Sequence, residues 1–549
     1  MKFGLFYEHQ LPQPWGEESE LRLYQQALVQ IELADRLGID YVWEVEHHFL
    51  EEYSHSSAPE VFLAACSQRT KRIRLGHGIT LMPPYYNHPA RVAERIATLD
   101  LVSNGRVEWG TGESATAVEM GGFGVDPEDK RAMWEEATRE AANMLAMRPY
   151  PGFRGRWFDM PCRNLVPKAV QRPHPPMWVA CSRRETIHLA ARNGLGALTF
   201  SFLDPDQAAK WVEEYYDIIK SEECVPIGHR VNPNIAIVTG MSCHREEAEA
   251  IRRGLDGFRF FGYSLGYYAL FGEHRPGRAD LWERFLQVKD QLPDNAGRGG
   301  IGTPDQLRAH LALYEKAGID QVMFIQQSGT NRHEHICESL EVFAERVMPE
   351  FKQRDEVREA EKGRELAPYI EAALARKPKM APIDDAEIPR IEPSVARRPR
   401  RSSIPIAAAR SRSRRRTLSP LMRPRPTVDR TPLAALIPVV VGTGDPLRSG
   451  LVASLARPGG NITGYSAMIP EFGGKYMELL HELAPRSRWR CRQNPERRKT
   501  RRFAGPAADQ VRAACQPEDR QGARPHRAAI NPRPRRRADR MICLMSRTS

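Results

Sequence analysis

A chain of 549 residues exceeds one ordinary domain, and its net charge of +12 hides a division: residues 394–549 carry 34 Lys and Arg against 10 Asp and Glu, leaving 47 against 59 in residues 1–393. The front is acidic and the back strongly basic, so the overall pI of about 9.3 describes neither. Nine scattered cysteines without a C-x-x-C pair exclude a disulfide framework and a zinc knuckle, and no apolar run of about 18 residues offers a membrane span. The N-terminus, MKFGLFYEHQ, lacks the basic head and long apolar stretch of a secretory signal, so a cytoplasmic location is expected.

KFGLFY (2–7) is a short apolar run, followed by a helical pattern over 21–39 that ends near Gly38. IDYVWEV (39–45) reads as the second strand and PEVFLAACSQRT (59–70) as the second helix. IRLGHGITLMP (73–83) is the third strand, and the helix HPARVAERIATLDLVSNG (88–105) stops at Asn104–Gly105, where a left-handed cap is expected. RVEWGTG (106–112) leads to a helix over 127–147, PPMWVAC (175–181) to 184–194, and ALTFSF (197–202) to 205–220. NIAIVTG (234–240) leads to 245–255, a further helix spans 303–319, and QVMFIQQ (321–327) leads to 333–352. The strands are continuous apolar runs, which suits burial on both faces of a parallel sheet. Eight such units over 1–352 predict an α/β fold of the (β/α)8 TIM-barrel type, with 150–173 and 260–300 as insertions. Residues 353–393 read as an exposed helix and linker. Beyond them, 394–549 is an Arg-rich tail of low order that cannot bury a core.

YVWEVEHHFLEEY (41–53) places Glu44, Glu46, His47 and His48 at the end of the second strand. Polar groups are costly inside a core, but the C-terminal ends of barrel strands line the site. The bland alternative is a solvated loop. A metal reading would draw on Glu8, His9 and His77, but no H-E-x-x-H motif supports it, so no metal is expected.

EHHF after a VW strand, GITLMPPYYNHPARVAERIATLDLVSNGRVEWGTG, PHPPMWVACSRRETIHLAARNGLG and GTPDQLRAHLALYEKAGIDQVMFI together resemble the bacterial luciferase-like, flavin-dependent monooxygenases, in order through residues 1–352. The resemblance implies a barrel that binds reduced FMN, or in some branches a deazaflavin coenzyme, and that commonly forms a homodimer. His47 matches the family's active-site histidine, expected to serve as a neutral base or hydrogen-bond partner beside a flavin hydroperoxide. Glu46 and His48 would orient the loop and border the substrate. Gly78–Ile79 falls where the family has a non-proline cis peptide under the flavin ring. Ser182, Arg183 and Thr186, after Cys181, begin the helix where relatives hold the flavin phosphate. Ser182 can at the same time be an N-cap, boxed with Glu185. One departure stands out: after Gly112 the chain has Glu113, where luciferase has an arginine on the phosphate. Arg183 or Arg184 would then substitute, or the cofactor is held differently.

GFRFFGYSLGYYALF (257–271), with Phe261 and Tyr263, fits a hydrophobic lid over the substrate, or equally a dimer or core stretch. No G-x-G-x-x-G follows a strand, so reduced flavin is expected from a separate flavin reductase, with O2 and a small organic substrate as the other reactants. A hydride-transferring deazaflavin oxidoreductase is the alternative on the same barrel. In the tail, 437–485 resembles a piece of a periplasmic ABC-transporter substrate-binding protein, too short to fold alone. Its Arg-rich flanks leave two readings, a frame or fusion product and an Arg-rich nucleic-acid-binding arm.

Overall fold

Eight runs of buried aliphatic and aromatic residues close into a parallel barrel in the computed structural model, which describes residues 1–200, 204–292 and 300–392. The strands are β1 (Lys2–Tyr7), β2 (Tyr41–Glu44), β3 (Arg74–His77), β4 (Val107–Gly112), β5 (Met177–Cys181), β6 (Gly196–Thr199), β7 (Ile235–Gly240) and β8 (Gln321–Ile325). Each pairs with its neighbours in chain order, β8 returns beside β1 with Phe3 opposite Val322, and β3 meets β4 with Leu75 opposite Val107. The TIM-barrel expectation holds.

The crossovers are α1 (Ser19–Leu37), α2 (Pro59–Arg69), α3 (Pro89–Val102), α4 (Ala117–Phe123), α5 (Lys130–Ala146), α6 (Arg184–Arg192), α7 (Pro205–Lys220), α8 (Glu247–Gly266), α9 (Leu281–Val288), α10 (Pro304–Lys316), α11 (His333–Arg346) and α12 (Met348–Arg376). Gly38 ends α1 at φ +88°, a conformation that suits a residue without Cβ, and its N–H returns to Ala34. Asp35 then accepts the N–H groups of Lys71, Arg72 and Ile73, which fixes the entry to β3. None of the described helices is long and apolar enough to cross a membrane.

Strand alternation sorts the core. Phe3, Leu5, Tyr7 and Val42 face the helical layer, while Phe6, Trp43, Trp178 and Leu198 fill the barrel. At the C-terminal mouth, this inner cluster continues without a break into Phe260, Phe261, Tyr268 and Phe285 of α8, a π-helical turn at 267–271, and α9. The aromatic segment is therefore a lid whose rings share the barrel's core.

α12 crosses the expected boundary at 352 and is part of the barrel body. Phe351, Leu366 and Ala373 are buried, and Arg358 and Lys362 both pair with the buried Asp320 at 2.9 and 3.0 Å. Lys377 donates to the Ile227 carbonyl at 2.8 Å. The expectation of an exposed helix fails because these ion pairs and three apolar residues dock it. The tail 394–549, with its fragment 437–485, lies outside the described residues.

Candidate active site

His47 leaves β2 on a loop whose backbone is pinned early: its N–H donates to the Ser56 carbonyl at 2.8 Å, and the Ser56 hydroxyl donates to the Val45 carbonyl. Its imidazole stands between two carboxylates. Nδ1 lies 2.9 Å from Glu119 Oε1, and Nε2 lies 3.5 Å from Glu8 Oε2. Glu119 comes from α4, where Thr116 and Glu119 form a T-x-x-E helix start, and it also accepts from Ser114 Oγ, Thr116 Oγ1 and the His48 N–H. Glu8 follows β1 and accepts from Tyr53 OH at 3.0 Å.

These contacts favour the charged form of the ring. Burial alone would lower the His47 pKa, but the carboxylates of Glu119 and Glu8 outweigh it and raise it to about 9. Burial alone would raise Glu119, yet His47 and the hydroxyls of Ser114 and Thr116 hold it below the usual range. Burial pushes Glu8 up to about 7 against the pull of His47 and Tyr53. At neutral pH His47 is an imidazolium, which corrects the expectation of a neutral base. A ring in that state can donate hydrogen bonds and stabilise negative charge.

Glu46 and His48 meet on this loop. Glu46 accepts from the Leu81 N–H at 2.7 Å and from Asn87 Nδ2 at 2.8 Å, and lies 3.3 Å from His48 Nε2, so it ties the β2 loop to the segment after β3. Glu44 is turned the other way, toward the helices, with His9 at 3.0 Å and the Ser56 hydroxyl donating to it. Gly78–Ile79 is a trans peptide, since the cis bonds among the described residues all precede proline. The Gly78 N–H donates to the Glu44 carbonyl at 2.7 Å and so prolongs the β2–β3 ladder, which the trans bond preserves. The Ile79 side chain packs on Gly112, where a Cβ would come within 2.2 Å of it.

At the ends of β4 and β5 a cationic group gathers. Arg131, from α5, pairs with Glu113 at 2.9 Å, and Lys130 donates to the Ser114 carbonyl at 2.7 Å. Arg184 is committed to Glu214 and does not take the vacant arginine's place. Arg131, one helix before the arginines the sequence pointed to, stands beside Glu113 instead. The α6 start is also shifted by one residue from the expected box. Arg183 is the N-cap, and Thr186 Oγ1 accepts the N–H groups of Ser182 and Arg183, while Glu185 is exposed. Cys181 is buried, and burial pushes its thiol up to about 12, so it packs and does not react. Phe261 lies 6.0 Å from Tyr53, whose ring is 5.6 Å from His47, so Phe261 borders the site. Tyr263 packs on Phe271 and Phe285 inside the lid.

Residues 1–321 match the family of luciferase-like monooxygenases. The chain belongs to the luciferase-like monooxygenase family. It is 34% identical to the protein y4wF of Sinorhizobium fredii over 248 residues, 44% of this chain and 69% of that protein. It is 25% identical to the oxygenase component of the flavin-dependent trigonelline monooxygenase of Acinetobacter baylyi, covering 64% of this chain and 96% of that one. The solved structure of the monooxygenase RslO1 from Streptomyces bottropensis superposes with a TM-score of 0.54 at 25% identity, over 64% of this chain and all of that one. Family membership makes the chain an oxidoreductase of the monooxygenase type. The transporter resemblance of 437–485 is not borne out.

A luciferase-like barrel implies a flavin, and two observations here fit one. Lys130, Arg131, Arg183 and the α6 N-terminus supply cations and N–H groups for a phosphate at the ends of β4 and β5. Glu8 Oε2 is buried without a hydrogen-bond donor among the described residues, beside His47, so a donor on a molecule bound at this mouth would satisfy it.

Proposed function

We propose that the chain is the oxygenase component of a two-component flavin monooxygenase that places one atom of O2 into a small organic substrate. The observation that carries this is His47, held as a cation between Glu8 and Glu119 under an aromatic lid at the mouth of a luciferase-like barrel. Reduced FMN, brought by a separate reductase, would supply the electrons that activate O2. The residues of the chain do the rest. Arg131, Lys130 and Arg183 hold the phosphate. His47 donates a hydrogen bond to developing negative charge, and Phe261, Tyr53 and Tyr268 exclude water. The relative named as an oxygenase component supports a reductase partner. A homodimer belongs to the same reading, and analytical ultracentrifugation tests it.

Glu113 beside Arg131 favours a second reading, in which a deazaflavin coenzyme transfers hydride on this barrel. Anaerobic titration with each reduced cofactor separates the two. Micromolar binding of reduced FMN, weakened at least tenfold in Arg131→Ala, supports the oxygenase. Binding of the deazaflavin alone supports the second reading, and binding of neither overturns both.

A further inference from the structure

With His47 charged, the site as described so far has no base. Five carboxylates stand near the ends of β1, β2 and β4, and four are paired or turned away; Glu113 is held by Arg131. Glu119 takes four donors, Glu46 takes Leu81 and Asn87, and Glu44, although its Oε2 is also without a donor among the described residues, is turned outward onto His9 and Ser56, away from His47. Glu8 differs. Its Oε1 accepts from Tyr53, while Oε2 faces the inner side of the mouth, 3.5 Å from His47 Nε2 and without a hydrogen-bond donor among the described residues. The residue is 3% exposed.

We propose that Glu8 is the acid–base residue of this site, with Oε2 taking a proton from an acidic O–H of the bound substrate. The proposal rests on the oxygenase reading for its place in the reaction, but not for its test. The step balances as a simple transfer. Ionised Glu8 and substrate X–H become the Glu8 acid and X⁻, and the imidazolium of His47, one hydrogen-bond length beyond, stabilises the new anion. Deprotonation of an acidic hydroxyl, of the phenol or enol type, makes the substrate electron-rich, which prepares it to receive an electrophilic oxygen atom. Return of the proton from Oε2 completes the cycle. The acceptable substrates are therefore protic, and a pure hydrocarbon would leave Glu8 idle.

The surroundings allow Glu8 to titrate where an enzyme works. The groups that face it are Tyr53 and His47 from the β2 loop, Glu44 from β2 and Glu119 from α4. Phe261 and Tyr268 of the lid pack on Tyr53 and add no charge. Burial raises Glu8 to about 7, while His47 stands at about 9. Two adjacent groups whose environments separate them in this way divide the labour of base and cation.

The test uses the full chain, selectively labelled with 13C at the glutamate and aspartate side-chain carboxyls and 15N at the histidines, titrated by NMR without cofactor. The expected result is one carboxyl that titrates near pH 7, absent in Glu8→Gln and retained in Glu8→Asp. In Glu8→Gln the His47 titration falls by about 1 unit or more, because one of its two carboxylates is gone. A neutral-range carboxyl that persists in Glu8→Gln, or a Glu8 signal in the ordinary carboxylate range, overturns the proposal. Failure of reduced FMN to bind sinks the oxygenase reading alone and leaves this titration to be judged separately.

Discussion

Glu52 accepts the backbone N–H of Leu281 at 2.7 Å, so the loop that carries His47 is fastened directly to the first residue of α9 in the lid. The same carboxylate accepts from Trp282 at 3.1 Å and Gln13 at 3.0 Å, and Glu51 beside it accepts the Gly277 N–H at 2.7 Å. Glu52 is wholly buried and holds φ +59°, a left-handed backbone conformation that a non-glycine residue keeps only when its surroundings impose it.

Glu52→Ala leaves three N–H groups without their acceptor and frees the α9 N-terminus. Stability should fall by about 3 kcal/mol in urea unfolding. Hydrogen exchange over 267–292 should quicken more than in the barrel strands. Equal quickening everywhere would mean that Glu52 does not hold the lid.

His47 links stability to alkaline pH. Its folded pKa is raised, so its stabilisation is complete below about 6.5, the ordinary value, and is lost as pH rises through about 9. The unfolding free energy should drop across that window by up to about 3 kcal/mol. Glu119 is depressed, so its contribution is present above its ordinary value of 4.5 and disappears as the solution is acidified below it. In Glu119→Gln the alkaline loss should shrink, because His47 then has one carboxylate instead of two. Denaturant midpoints measured from pH 3 to 10 check these statements.

Much of this was legible before the structure. The eight strands announce themselves because both faces of each are buried, so hydrophobicity runs unbroken through KFGLFY, NIAIVTG and QVMFI. His47 could be placed because strand ends line a barrel's mouth. Its partners could not. Glu119 reaches it from 72 residues away, and only the T-x-x-E start of α4 marks it as oriented. Arg131 escaped because it sits in the first turn of a helix that reads as ordinary surface. α12 misled because RDEVREAEKGRELAPYIEAALARK is mostly polar, and its docking depends on Asp320, a residue of another element.

That docking yields a truncation test. A chain ending at residue 352 loses Arg358 and Lys362, leaving Asp320 buried with a charge and fewer partners, and should lose about 3–5 kcal/mol. A chain ending at residue 392 should keep the melting temperature and cofactor affinity of the full protein. Loss of function in the longer truncation product would instead favour a nucleic-acid-binding role for the tail.

Gly110 sits in β4 where a Cβ would lie 1.9 Å from the His77 carbonyl oxygen, a backbone atom that cannot swing aside. Gly110→Ala should therefore part β3 from β4 at the point where the barrel closes, and cost about 3 kcal/mol. Thermal unfolding of this variant beside Gly121→Ala, where a Cβ meets nothing, isolates the effect.

The central claim, a flavin oxygenase worked by His47, is tested most directly by the reoxidation of reduced FMN in the presence of the chain. The full protein, loaded anaerobically and mixed with O2 in a stopped-flow instrument, should reoxidise its flavin in two phases, the second slower than free FMN. His47→Ala should abolish the slow phase while still binding the cofactor. Reoxidation indistinguishable from free FMN in the unaltered protein, or a slow phase unchanged in His47→Ala, would contradict the account.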